Sequence, residues 1–353
     1  AASMVIKVIP TWSAEAQKNA VLMAQEELFS YGFTSATDAG TKVNYIQHYE
    51  DLYESGELKL RIYAMPMLNS TDSAEAGYIR EHRPVNGLYD NHLSIMGVKV
   101  LGDGALGSRG SALLKDYSDD PGNRGSYRFT DEEIYNVMSL AYNNGYQIAY
   151  HAIGDGAVRG TLDAYEEARA ANGERDARHT ITHVCAITDE DIQRMADLNV
   201  VGALQFLWMY GDALCDLERA YIGDERALSM YPVKKMRDAG IAITGASDAP
   251  VTPFVVLDEI EVGITRNSPY PEEEDTDMTR WPEQGLTAYQ MLEAYTKNVA
   301  YQNFMDDIIG TVEVGKFADL VVLDTNILEA DAKAISDTRV VYTISDGRIV
   351  YEG

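Results

Sequence analysis

Four residues of this 353-residue sequence have types that perform chemistry and stand in or just after short apolar runs: Lys99, His151, His183 and Asp248. Ile241–Thr244 is the kind of run a buried parallel strand makes. Asp248 follows it, and Pro250 and Pro253 then forbid any continuation. An acid just past the C-terminal end of a buried strand occupies the place where α/β barrels keep their chemistry, although such an acid also caps turns. His151 and His183 close the apolar runs that begin at Gln147 and Thr180. Lys99 lies inside the run Ile95–Leu101, where a cation is costly unless it is paired or modified. The intervals are 52 residues from Lys99 to His151, 32 from His151 to His183 and 65 from His183 to Asp248. They correspond to a long loop plus one helix, one strand–helix unit, and two units. Imidazoles and a carboxylate meeting at one point suit a divalent metal such as zinc. Any one of these residues alone reads as a strand-end polar group with a hydrogen-bond partner; four at matching strand ends weigh against that. His48, His82 and His92 read as surface residues, and His179 as a support for its strand.

The elements that must carry these groups alternate. Ser13 caps a helix running to about Tyr31, and short strands follow at Phe33–Thr37, Leu60–Met67 and Ile95–Leu101. A Gly- and Asp-rich loop spans Gly102–Phe129, and Thr130 with Glu133 makes a capping box for the helix Asp131–Asn144. The strand ending at His151, a helix over Ala157–Ala170, the strand Thr180–His183, a helix over Asp189–Leu198, the strand Val200–Gln205 and a helix over Glu225–Ala239 lead to the Asp248 strand. Thr287 and Gln290 box-cap a helix over Ala288–Gln302, and the tail is β-rich. Alternating strands and helices imply a parallel sheet. Seven such strands are legible where a closed barrel needs eight, so the expectation is a barrel without its first strand; an open seven-stranded sheet is the alternative. The acidic stretch within Arg266–Gly285 reads as a solvated loop.

Composition is ordinary for a globular protein, with 46% hydrophobic and 24% charged residues. A formal net charge of -27 argues against nucleic acid and against an anionic membrane surface as partners. The two cysteines, Cys185 and Cys215, have no metal-motif spacing and make no disulfide framework. No apolar run approaches the length of a membrane span, and no signal peptide is visible in the opening AASMVIKVIP, so a cytoplasmic location is favoured.

Several stretches carry a resemblance: GFTSATDAG at Gly32–Gly40, VKVLGDGALGSRGSAL at Val98–Leu113, YSDDPGNRG at Tyr117–Gly125 and AYHAIGDGAV at Ala149–Val158. TITHV at Thr180–Val184, GASDAPV at Gly245–Val251, LTAYQMLEAYTKNVA at Leu286–Ala300 and IGTVEVGKFADLVVLD at Ile309–Asp324 complete the set. With these the chain resembles the amidohydrolase superfamily, within it the amidohydrolase family 3 branch that includes N-substituted formamide deformylases. The resemblance implies a (β/α)8 TIM-type barrel over residues 1–308, here strands two to eight, and a partial β-sandwich from residues 309–353. It implies a small amide-type substrate and a divalent metal, one or two ions, held by Lys99, His151, His183 and Asp248. Lys99 matches a position that several members carboxylate, and Asp248 matches the acid that binds metal and moves the proton of the attacking water. Asp103 and Arg109 match a loop whose residues contact substrate or order the loop. The family's His-x-His at the end of strand one has no counterpart in this sequence. The expectation is therefore a truncated chain, one metal at most, an open barrel edge between strands two and eight, and a homodimer as a remedy for that edge. The alternative function is a catalytically impaired or inactive remnant that keeps the fold and ligand binding.

Overall fold

The computed structural model describes residues 10–270 and 279–353. The opening residues 1–9 and the acidic stretch 271–278 lie outside the described residues, and with them the reading of that loop as solvated.

The strands are β1 (Ser35–Thr41), β2 (Arg61–Pro66), β3 (Val85–Gly87), β4 (Leu93–Ile95), β5 (Gly97–Leu101), β6 (Gln147–Ala152), β7 (Thr180–His183), β8 (Val201–Leu204), β9 (Ile243–Gly245), β10 (Leu320–Leu323), β11 (Val340–Ser345) and β12 (Arg348–Glu352). β1, β2 and β4 run parallel, with β3 antiparallel at the far edge, and β5 to β9 form a parallel sheet in chain order. A break at Met96 divides β4 from β5. β4 pairs with β2 and β5 with β6, so one extended segment serves two sheets. A parallel bridge from Met67 to Lys99, with Leu68 N–H donating to Lys99 O at 2.7 Å, joins them. The result is a barrel wall of parallel strands wrapped by helices, the architecture in which side chains at the C-terminal strand ends converge. No described strand pairs with the outer edge of β1 or of β9. The helical segments Ala288–Tyr295 and Lys297–Gln302 lie there instead. Asn298 Nδ2 donates to Ile243 O at 2.9 Å, and Asn303 Nδ2 donates to Thr37 Oγ1 at 3.2 Å.

Most strand ends agree with sequence reading to within two residues because the apolar runs are short and bounded by Gly, Pro or polar residues; the first strand, read as Phe33–Thr37, instead runs Ser35–Thr41, and the run Ile95–Leu101 is split at Met96. Helices were less legible. The expected helix Glu225–Ala239 is two, Asp224–Leu228 and Val233–Asp238, because Tyr231 takes a left-handed φ of 58° and Pro232 follows it. The expected helix to Gln302 breaks at Thr296. Both capping boxes form, at Thr130 with Glu133 and at Thr287 with Gln290. His48 and His92 are buried, not on the surface: His48 bonds Gln17 Oε1 at 2.8 Å, and His92 Nδ1 bonds the carbonyls of Tyr89 and Asp90. Only His82 of the three is exposed.

Two buried polar contacts fix the frame around β9 and the C-terminal sheet. The Tyr295 ring lies flat against Gly245, where a Cβ would stand 2.1 Å from ring carbon Cζ, and its hydroxyl donates to buried Glu259. Only glycine admits that approach. Arg61, fully buried, donates from Nε and Nη2 to Asp319 at 2.8 and 3.1 Å and lies over the Phe317 ring. This clamp binds β2 to the segment entering the antiparallel sheet β10–β11–β12. Among the described residues no helix is long and apolar enough to cross a membrane.

Candidate metal and catalytic centre

The parallel register puts Lys99 beside Ala149, and His151 beside Thr182. Lys99 is buried and its Nζ donates to Thr182 Oγ1 at 2.8 Å. Burial pushes its ammonium down to about 8, against the opposing pull of the Asp248 carboxylate. His183, the last residue of β7, has a left-handed φ of 80°. That turn takes it out of the strand's alternation, so Thr182 and His183 can serve the same cluster from adjacent positions. The rings of His151 and His183 meet edge to face with centroids 4.4 Å apart. Burial first, then the positive groups at Lys99 and His151, hold His183 well below the ordinary imidazole range, and so neutral. Asp248, also at left-handed φ (59°), keeps an exposed surface; desolvation by the protein packed around it raises its carboxyl, while Lys99 and His151 act in the opposite sense. The structure thus brings Lys99 and His151 into electrostatic reach of both His183 and Asp248, from four different segments.

The two imidazoles are held from behind. His151 Nδ1 bonds Asp103 Oδ1 at 3.0 Å, and His183 Nδ1 bonds Gln205 Oε1 at 2.7 Å. A carboxylate only accepts, so His151 Nδ1 donates to Asp103, and Nε2 is the ring nitrogen outside that bond. Trp208 stacks on the His183 ring with a 6° interplanar angle and centroids 5.2 Å apart. Among the described residues, no three His, Cys, Asp or Glu side chains gather closely enough to form a metal site by themselves. The expected ligand set of His151, His183 and Asp248 therefore does not close up as one group among the described residues.

Asp103 and Arg109 are engaged within the protein. Asp103 is buried, and besides His151 it accepts from the backbone N–H groups of Ala112, Ile153 and Gly154 at 3.0–3.1 Å. It pins the long loop after β5 onto the end of β6. The loop comes so close that a Cβ at Gly154 would lie 1.9 Å from Ala112 O. Arg109 pairs with Asp119, and its guanidinium lies 3.9 Å from the Tyr221 ring centroid. Both sets of contacts are those of loop order, the second of the two roles their motif allows. Thr182, Gln205 and Trp208 escaped sequence reading. Each lies one to four positions from a strand end, with no spacing signal of its own.

Residues 1–351 match the amidohydrolase family. The protein LONG AFTER FAR-RED 3 of Arabidopsis thaliana is 32% identical over 260 residues, 73% of this chain and 43% of its own length. An N-substituted formamide deformylase of Arthrobacter pascens is 27% identical over 233 residues, 65% of this chain and 41% of that protein. The crystal structure of an uncharacterized metal-dependent hydrolase from Pyrococcus furiosus superposes with a TM-score of 0.78 at 25% identity, over 93% of this chain and 64% of that one. The chain thus spans less than half the length of these two relatives.

Proposed function

We propose that this chain, which belongs to the amidohydrolase family, is a metal-dependent hydrolase that cleaves a non-peptide C–N bond, an amide or an N-formyl group. One observation carries the reading: the His151 and His183 rings touch edge to face at the ends of neighbouring parallel strands, with the buried Lys99 amine and the Asp248 carboxylate within electrostatic reach. A deformylase among the relatives favours the formyl group.

The donor set fits a divalent cation on chemical grounds. His151 and His183 each have Nδ1 tied to an oxygen, the arrangement that leaves Nε2 as a ligand. Lys99 would complete the set as a carbamate: its burial favours the neutral amine, which can attack CO2, forming an N–C bond and releasing one proton. Zinc is the first candidate, since a catalytic zinc takes about three protein ligands. When bound, it supplies a Lewis acid for the substrate carbonyl and lowers the pKa of water. The chain's own residues do the rest. Asp103 and Gln205 fix the two ring orientations. Asp248, its proton affinity raised by desolvation, takes the proton from the attacking water and returns it to the leaving amine. Trp208 walls the His183 side and restricts water there.

The test is an activity screen of the chain, loaded with zinc and bicarbonate, on N-formyl and N-acyl amines, with metal content measured in parallel. We expect about one equivalent of metal per chain and release of free amine. Metal content below about one-tenth of an equivalent at saturation would defeat a working site and leave the family fold with ligand binding alone.

A further inference from the structure

Lys99 is buried, and the hydrogen bond from its Nζ goes to a neutral hydroxyl, Thr182 Oγ1 at 2.8 Å, not to a carboxylate. A buried amine with such a partner is costly as a cation unless it is modified. The sheet sets the route of the side chain. In register Lys99 lies beside Ala149 of β6, whereas Thr182 belongs to β7 and lies beside His151 and Ala203. The lysine therefore passes β6 at a small residue and meets β7 one position before His183.

Thr182 holds that end still. Its backbone is paired on both sides, by β6 and by β8, and a β-branched side chain has few χ1 choices. It is also the one residue of β7 that is not buried, so removing the hydroxyl alone leaves the packed residues of the strand untouched. A hydroxyl has one donor and two acceptor lone pairs, and its hydrogen rotates to suit. It serves both an amine, which donates, and a carbamate oxygen, which only accepts.

We propose that Thr182 is the positioning residue for carboxylation of Lys99, accepting from the free amine and donating to the carbamate. The inference deepens the reading of Lys99 as a carbamate ligand and rests on it. In the step, the Nζ lone pair of the neutral amine forms an N–C bond to CO2, one C=O pair moves onto oxygen, and the nitrogen gives one proton to water. The Thr182 O–H then turns to the new anionic oxygen and holds the carbamate beside the two imidazoles.

The probe is isotope-labelled bicarbonate, titrated into the full chain with and without zinc, the Lys99 carbamate carbon being followed by NMR. Lys99→Met, which removes the amine, identifies the signal. We expect Thr182→Val, which keeps the shape of threonine without its hydroxyl, to raise the bicarbonate needed for half-maximal carbamate at least about tenfold. Thr182→Ser, which keeps the hydroxyl, should stay within about threefold of the parent. At saturating bicarbonate Thr182→Val should take up as much zinc as the parent, as it does when His151 and His183 keep their places. An unchanged bicarbonate requirement in Thr182→Val would overturn the assignment. So would a requirement in Thr182→Ser as high as in Thr182→Val, zinc uptake by Thr182→Val below the parent's at saturating bicarbonate, or no Lys99 carbamate in the parent with or without zinc. A carbamate that depends on Thr182 in a chain that takes up no zinc would uphold the assignment and count against the hydrolase reading alone.

Discussion

Asp103 holds the His151 ring through Oδ1 at 3.0 Å, and with the same carboxylate it takes three backbone N–H groups from the loop and the strand end. The orientation of a candidate ligand and the closure of a long loop thus depend on one buried side chain.

Replacing that side chain separates the two roles. Asp103→Ala leaves three backbone donors unpaired and should lower stability by about 3–5 kcal/mol, measured by urea unfolding. Asp103→Asn keeps part of the bonding, so its stability loss should be smaller. Its zinc affinity should still fall roughly 10–100-fold, read by competition with a chelating dye. Equal zinc affinity in Asp103→Asn and the parent would deny Asp103 any part in presenting His151.

Asp248 sits at φ 59°, a conformation that Asn tolerates nearly as well as Asp. Asp248→Asn should therefore melt within a few degrees of the parent and yet lose turnover by a factor of about 10² or more. Full activity in this variant would remove Asp248 from proton transfer.

Glu259 gives a pH signature away from the metal centre. Burial holds its carboxyl up at about 8 in the folded chain, against an ordinary 4.5. Between those values the folded state keeps a proton that the unfolded chain gives up, so stability falls as pH rises from 4.5 to about 8 and is flat outside that window. Glu259→Gln, which still accepts from Tyr295, should flatten this slope. The parent-minus-variant difference in unfolding free energy between pH 5 and pH 8 should be on the order of 2–4 kcal/mol.

Asp319→Ala removes the partner of a fully buried guanidinium, Arg61. Breaking a buried pair from one side costs about 3–5 kcal/mol. The double variant Arg61→Met with Asp319→Ala should recover part of it. Chemical denaturation of the three variants measures the coupling, and additive losses would show that the clamp holds nothing together.

Much of this was legible in the residues because the strands are short, apolar and ended by residues that cannot continue them. Thr180–His183 is read to the residue, and the positions of Lys99, His151, His183 and Asp248 followed from strand ends and intervals. What the sequence hid was whatever depends on a partner far along the chain. Asp103 read as a loop acid open to either substrate contact or loop order, because its four donors come from Ala112, His151, Ile153 and Gly154. Gln205 and Trp208 become parts of the centre only through the ring of His183. His48 and His92 looked exposed because local polarity says nothing of the helices and loops that fold over them. The break at Tyr231 was signalled by Pro232, but the helical pattern of the flanking segments hid it.

The outer margins of β1 and β9, which pair with no described strand, bear on how copies of this chain treat one another. Bare amide and carbonyl rows invite self-templating, and a helix anchored through Asn298 and Asn303 covers this seam without pairing along it. With 27 net negative charges on each molecule, approach of two such seams is opposed by mutual repulsion at long range. That protection weakens as salt thickens: near 1 M the field of a charge dies within about 3 Å, and colloidal behaviour then rests on the seam's own chemistry.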